Sequence, residues 1–230
     1  MKTSTRLTAC FAFTILFTLT CIAQDWPGLQ RFKEENKKLA PPTEDENRVV
    51  FMGNSITIGW LNTRPEFFEG KPYVNRGIGG QTTPQMLVRF RQDVIDLQPK
   101  VVVILAGTND IAGNTGPSSL EMIVSNIKSM AQLAQANGIK VIISSVLPAF
   151  DYPWRPGLKP NEKIPALNAM LKQYAENNGF LYLDYFSAMA DDRNGLPKKY
   201  ANDEVHPTSE GYSVMEPMIE EAINKVLKMK

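Results

Sequence analysis

The sequence predicts an α/β fold, a three-layer α/β/α sandwich around about five parallel strands. Three observations carry this. Short apolar runs of strand length alternate with stretches of helical spacing along most of the chain. The run at 100–105, KVVVIL, is apolar without alternation, as a central parallel strand covered on both faces must be. Two segments, 118–146 and 164–183, repeat one arrangement of helix, Asn-Gly stop and apolar strand. Asn-Gly supplies the left-handed residue that ends a helix. At 230 residues, 43% hydrophobic and 21% charged, the chain suits one α/β domain with a substantial core.

The elements follow in order. Residues 1–23 read as a secretory signal: Lys2 and Arg6 precede an apolar, Thr-rich run from Leu7 to Thr20, and Cys21-Ile22-Ala23 ends in a small residue. The run is short for a membrane span, which favours removal after Ala23 over an uncleaved anchor. An exported protein, periplasmic or secreted, is therefore expected. Residues 24–47 form a polar lead-in in which Trp26, Leu29 and Phe32 are spaced as one face of a short helix that packs on the body. The body proper spans 48–230.

Arg48 to Trp60, RVVFMGNSITIGW, reads as a buried strand, a Gly-Asn-Ser turn and a helix start. Ser55 stands just past the strand, at the edge where open α/β sheets bind ligands. A helix cap and a nucleophile are both open readings of this serine. Pro72 to Asn75 is a weak second strand, Gly77-Ile78-Gly79-Gly80 a glycine loop, and Pro84 to Gln98 a helix. After KVVVIL come the paired helix–strand units, with helices at 118–136 and 164–176 and strands at 139–146 and 180–183. Ser209 to Lys228 closes the chain as a helix kinked near Pro217. The resulting layering is flavodoxin-like. The carboxyl ends of its strands collect Ser55, the glycine loop, Gly107-Thr108-Asn109-Asp110 and the loop leading to Asp203 and His206.

Composition excludes several classes. A net charge of +1 gives no basic patch for nucleic acid. Both cysteines, Cys10 and Cys21, fall in the signal, so the body offers no thiol nucleophile, Fe–S cluster or Cys-zinc site. The single histidine, His206, rules out a multi-histidine metal centre.

That histidine carries the chemical reading. In Asp203-Glu204-Val205-His206-Pro207 a carboxylate three residues before the ring can reach Nδ1 and leave Nε2 free as a base. Glu204 is the rival acid, placed to point elsewhere. A solvated surface loop is the plainer alternative. Asn109 offers a side-chain amide to a developing oxyanion, while Asp110 makes a turn and cap. The glycine loop lacks the Gly-Lys-Ser/Thr of a phosphate loop and reads as backbone N–H groups approaching a small ligand oxygen.

At these blocks the chain resembles the SGNH, or GDSL-type, esterase and lipase superfamily, from Val49 to the last helix. GNSIT, GIGGQTT, GTND and DEVHP stand in the family's order. The resemblance implies a serine esterase without cofactor or metal, with Ser55, His206 and Asp203 as its triad and Ser55, Gly80 and Asn109 around the oxyanion. The wording of the second and third blocks looks closest to the platelet-activating-factor acetylhydrolase-like and carbohydrate acetylesterase-like branch. Asn54 replaces the family's Asp, and Gln81 stands where an acid is common, altering the oxyanion loop or the substrate rim. A short-chain acyl ester on a glycan is the expected substrate, with lysophospholipid or thioester hydrolysis as the alternative. Tyr152, Trp154 and Arg155, in PAFDYPWRPGLKP, are expected to line the substrate rim, although Trp154 packing the loop down is an equal reading. Trp60 belongs in the core. A non-catalytic binding module and a flavodoxin-type nucleotide binder are the competing classes.

Overall fold

A computed structural model describes residues 25–229, so the signal expected over residues 1–23 lies outside the described residues. Five strands form one wholly parallel sheet: β1 (Val49–Gly53), β2 (Tyr73–Gly77), β3 (Val101–Leu105), β4 (Lys140–Ser144) and β5 (Leu181–Leu183), in the order β2-β1-β3-β4-β5. Side chains alternate across each strand, so its two sets face different helices. Val50, Met52, Val102, Ile104, Val141 and Ile143 pack with α3 (Thr83–Asp93), α5 (Leu120–Ala136) and α6 (Pro160–Asn177). Val49, Phe51, Val101, Val103 and Ile142 pack with α2 (Ser55–Thr63), α7 (Tyr185–Met189) and α8 (Ser209–Lys228). The central strands β1 and β3 are buried throughout, which is why both read as unbroken apolar runs.

Chain direction reverses between β1 and β3. The chain steps from β1 outward to β2, then returns past β1 to β3 and proceeds the other way. This is the switch point at which open α/β sheets bind ligands. Gly53 pairs with Gly77 on one side and Leu105 on the other, so the loops after β1, β2 and β3 leave the sheet at one level. Ser55, Gly80 and Asn109 are on those loops or at the helix starts that follow.

Some expectations need correction. The lead-in helix is α1 (Lys33–Lys38), not a stretch bearing Trp26, Leu29 and Phe32. Pro27 and Gly28, the latter at φ +73°, turn the chain there instead, and the Asp25 carboxylate takes the Leu29 and Gln30 N–H groups at 2.8 Å each. Phe32 does pack inward, with the Arg31 and Arg76 guanidinium groups 4.8 and 4.7 Å from its ring, whereas Trp26 is exposed. The helix expected to reach Gln98 ends at Asp93 and passes into a 3-10 turn at Ile95–Leu97, closed by Gln98 at φ +52°. α6 starts at Pro160, which fits the first helical turn, and α8 runs through Pro217. Trp60 is core, stacked between Phe67 at 4.9 Å and Tyr212 at 5.5 Å.

Candidate active site

Local chemistry sets Ser55 apart from its neighbours. The N-cap of α2 is Asn54, whose Oδ1 accepts the Ile56 N–H at 3.1 Å. The loss of an acid at this position is thus harmless to the turn, since a carbonyl oxygen caps as well as a carboxylate. With the cap supplied, the Ser55 hydroxyl is left to point elsewhere. The turn is tight because glycines flank it: a Cβ on Gly53 would meet Thr57 Oγ1 at 1.9 Å, and one on Gly77 the Ile58 nitrogen at 2.4 Å.

Ser55 Oγ lies 2.9 Å from His206 Nε2. His206 Nδ1 lies 2.6 Å from Asp203 Oδ2, while Asp203 Oδ1 accepts the backbone N–H groups of Val205 and His206 at 3.0 and 2.7 Å. Burial pushes the Asp203 carboxyl up, but these hydrogen bonds outweigh it and hold the group below the ordinary carboxylate value. Glu204 sits in the left-handed region at φ +63° and makes no bond to the ring among the described residues. Val205 anchors this loop in the core, at 2% exposure.

Two separate elements bring the serine and histidine together. The Tyr212 hydroxyl of α8 donates to Ile56 O of α2 at 2.8 Å, and Arg64 grips Glu216 with two bonds of 2.9 Å. The helix after His206 is thereby clamped to the helix after Ser55.

Ser55, Gly80 and Asn109 carry N–H donors at the ends of the loops that leave β1, β2 and β3. Among the described residues, no acceptor meets the backbone N–H of Ser55 or of Gly80. Gly80 is exposed, with φ +75°, and its carbonyl accepts Asn114 Nδ2 at 3.0 Å. Asn109 is buried and spends one amide hydrogen on Gln81 O at 3.0 Å, leaving the second. Contrary to expectation, Asp110 does not cap its own turn, which begins at Gly107 without a side-chain cap. Both its oxygens accept the Thr83 N–H at 3.0 Å and Oδ1 takes the Thr83 hydroxyl at 2.6 Å, so it tethers the start of α3. Burial raises its carboxyl to about 6 despite those bonds.

The rim expectations divide. Tyr152 is fully buried, its hydroxyl 2.8 Å from Thr108 Oγ1 and donating to Thr108 O at 3.1 Å, so it supports the rim and does not form it. Trp154 stacks on Tyr152 at 5.1 Å and stands 5.9 Å from the His206 ring, with its other surface exposed. Arg155 Nη1 donates to Ala112 O and Gly113 O, tying the loop down beside the site. Gln81 is also buried and faces inward: its Nε2 donates to Pro27 O at 2.7 Å and its Oε1 accepts Arg89 Nε at 2.6 Å.

Sequence reasoning missed Arg89, Asp93 and Asn114. Arg89 is wholly buried beneath the glycine loop; besides Gln81 it bonds Asp93 at 3.0 Å and the carbonyls of Gly53 and Arg76. A charged i,i+4 pair looks like an exposed helix face in sequence, and only its place among apolar neighbours hinted otherwise. Among the described residues, no three His, Cys, Asp or Glu side chains come together as metal ligands.

A parallel sheet with a Ser-His-Asp chain at its switch point defines a class of hydrolase-like α/β proteins. The sequence profile of the GDSL-like lipase/acylhydrolase family matches residues 51–214, and the chain belongs to that family. A crystal structure of a candidate acylhydrolase from Bacteroides fragilis superposes with a TM-score of 0.87 at 53% identity, covering 89% of this chain and all of that one. An acetylxylan esterase of Xylanibacter ruminicola is 28% identical over 224 residues, 81% of this chain but 45% of that protein. The platelet-activating factor acetylhydrolase IB subunit alpha2 of Rattus norvegicus is 28% identical over 159 residues, 65% of this chain and 64% of that one. The chain thus spans about half the length of the acetylxylan esterase it matches.

Proposed function

We propose that this protein is an exported serine esterase that removes short acyl groups, acetyl foremost, from carbohydrates. The observation that carries the reading is the chain of contacts from Ser55 Oγ to His206 Nε2 at 2.9 Å and from His206 Nδ1 to Asp203 at 2.6 Å. Ser55 Oγ attacks the ester carbonyl as His206 takes its proton. Asp203 keeps the ring in the tautomer that accepts at Nε2 and stabilises the imidazolium. The carbonyl oxygen, now negative, is met by the Ser55 N–H, the Gly80 N–H and the free amide hydrogen of Asn109. One such donor is worth about 10²–10³ in rate. His206 then protonates the leaving alcohol; in the second half it takes a proton from water, which attacks the acyl-enzyme, and returns it to Ser55 Oγ as the acid leaves.

Support for a small acyl group comes from the open cleft at the glycine loop, where Gly79, Gly80 and polar side chains such as Gln85 and Asn114 offer no enclosed apolar channel for a long chain. The acetylxylan esterase relative supports a carbohydrate, and the N-terminal sequence of residues 1–23 supports export. Among the described residues no helix is long and apolar enough to cross a membrane. Ser55→Ala and His206→Ala should each lower hydrolysis of 4-nitrophenyl acetate by about three orders of magnitude or more. Activity within a few-fold of wild type in either variant contradicts the mechanism. A screen of acetylated oligosaccharides against lysophospholipids and acyl-thioesters assigns the substrate class.

A further inference from the structure

The chain has three tryptophans, and the structure uses them differently. Trp60 is core at 2% exposure, but Trp26 and Trp154 are 45% and 47% exposed. Single exposed aromatics need no explanation; two on one concavity do. Both line an open cleft of about 550 Å³ whose floor includes Gly79, Gly80 and Gln81, and Trp154 is also the residue whose ring stands beside His206. The cleft therefore runs from Trp154, beside His206, across the glycine loop to the lead-in.

The Trp154 ring has a built support, and the backbone at Trp26 is fixed in place. Trp154 rests on Tyr152 at an interplanar angle of 25°, and Tyr152 is pinned by Thr108. The Trp26 segment is stitched to the loop and to α3: Gln85 Nε2 donates to Trp26 O at 2.6 Å, and Gln81 Nε2 to Pro27 O at 2.7 Å. Ordering of this kind is what a preformed binding wall requires. The rest of the lining is mostly polar, with Asp25, Gln85, Asn114 and Arg155 beside Ile78 and the glycines. A site for a long acyl chain would be enclosed and apolar. An open groove with two aromatic walls and amide, carboxylate and guanidinium groups beside them suits a ring with apolar C–H faces and a hydroxylated edge.

We propose that the cleft between Trp26 and Trp154 is a saccharide subsite, holding sugar units of an acylated oligosaccharide beside the ester under attack. This rests on the carbohydrate-esterase reading and extends it to a specificity residue, Trp26, in the lead-in. The site takes a pyranose chain, with stacking at either end and hydrogen bonds along the edge.

The test compares acetylated xylo-oligosaccharides, acetylated xylose and 4-nitrophenyl acetate on the full chain. Wild type should prefer the oligosaccharides to acetylated xylose. Trp26→Ala should lower the oligosaccharide to 4-nitrophenyl acetate ratio of kcat/KM about tenfold, through KM, and Trp26→Phe should restore most of it. Leu133→Ala, a change to a half-exposed residue on α5, should leave the ratio as it is. In the Ser55→Ala background, the Kd for an acetylated xylo-oligosaccharide should weaken about tenfold with Trp26→Ala. If wild type cleaves the oligosaccharides and neither ratio nor Kd moves in Trp26→Ala, the subsite is wrong while the esterase reading stands. If wild type cleaves 4-nitrophenyl acetate but no acetylated saccharide, the carbohydrate reading fails and the subsite with it.

Discussion

Asp203 is held by both of its oxygens, and that decides what an amide would do in its place. Oδ1 accepts two backbone N–H groups, so in Asp203→Asn the remaining carbonyl must stay there. The new NH₂ then faces His206 Nδ1, 2.6 Å away, and donates to it. The ring is forced into the tautomer with its proton on Nε2, which cannot accept from Ser55. Asp203→Asn should therefore keep its fold and lose about 10²–10⁴ in kcat; a far-ultraviolet spectrum like wild type with kcat reduced less than tenfold would contradict this. This pair was legible in sequence because its members lie three positions apart within one turn. The role of Ser55 was not legible locally, since the cap that competes with it is supplied by the neighbour, Asn54. Tyr152 was misread as a rim residue for a related reason: its partner, Thr108, lies 44 positions away, and side-chain direction follows that partner.

At the level of elements, the glycine loop and α3 are fastened from below and from the side. From below, Arg89 and Asp93 are both fully buried and paired at 3.0 Å. Removing one leaves the other charged and unpaired. Arg89→Met should cost about 3–5 kcal/mol in urea unfolding, and adding Asp93→Leu should recover part of it. A single variant as stable as wild type would show that the pair does not hold the loop. From the side, Asp110 fixes the first residue of α3, and its folded pKa of about 6 exceeds the ordinary 3.8. The folded state then binds more protons than the unfolded state between those values. Stability contributed by Asp110 is greatest at the acid end and falls as pH rises from about 4 to about 6, by on the order of 2 kcal/mol. That slope should be missing from Asp110→Asn, and an identical slope in both proteins would refute the assignment. The strands and long helices were legible because periodicity and Asn-Gly stops are written locally. The lead-in helix was misplaced because three apolar residues at helical spacing span Pro27 and Gly28, which turn the backbone.

On the scale of the whole molecule, the site exists only where distant parts of the chain meet. Ser55 follows β1, Gly80 follows β2, Asn109 follows β3, and His206 precedes the last helix, 151 positions from the serine it touches. The parallel sheet sets the first three at one level, and the clamp of α8 on α2 brings the fourth. The central claim is that this assembly makes Ser55 a nucleophile. Labelling the folded protein with a fluorophosphonate, followed by peptide mass mapping, measures that property directly. A single adduct on Ser55, absent in His206→Ala and absent after unfolding in urea, is the result expected here. No adduct on the folded protein, or an adduct on another residue, would contradict it.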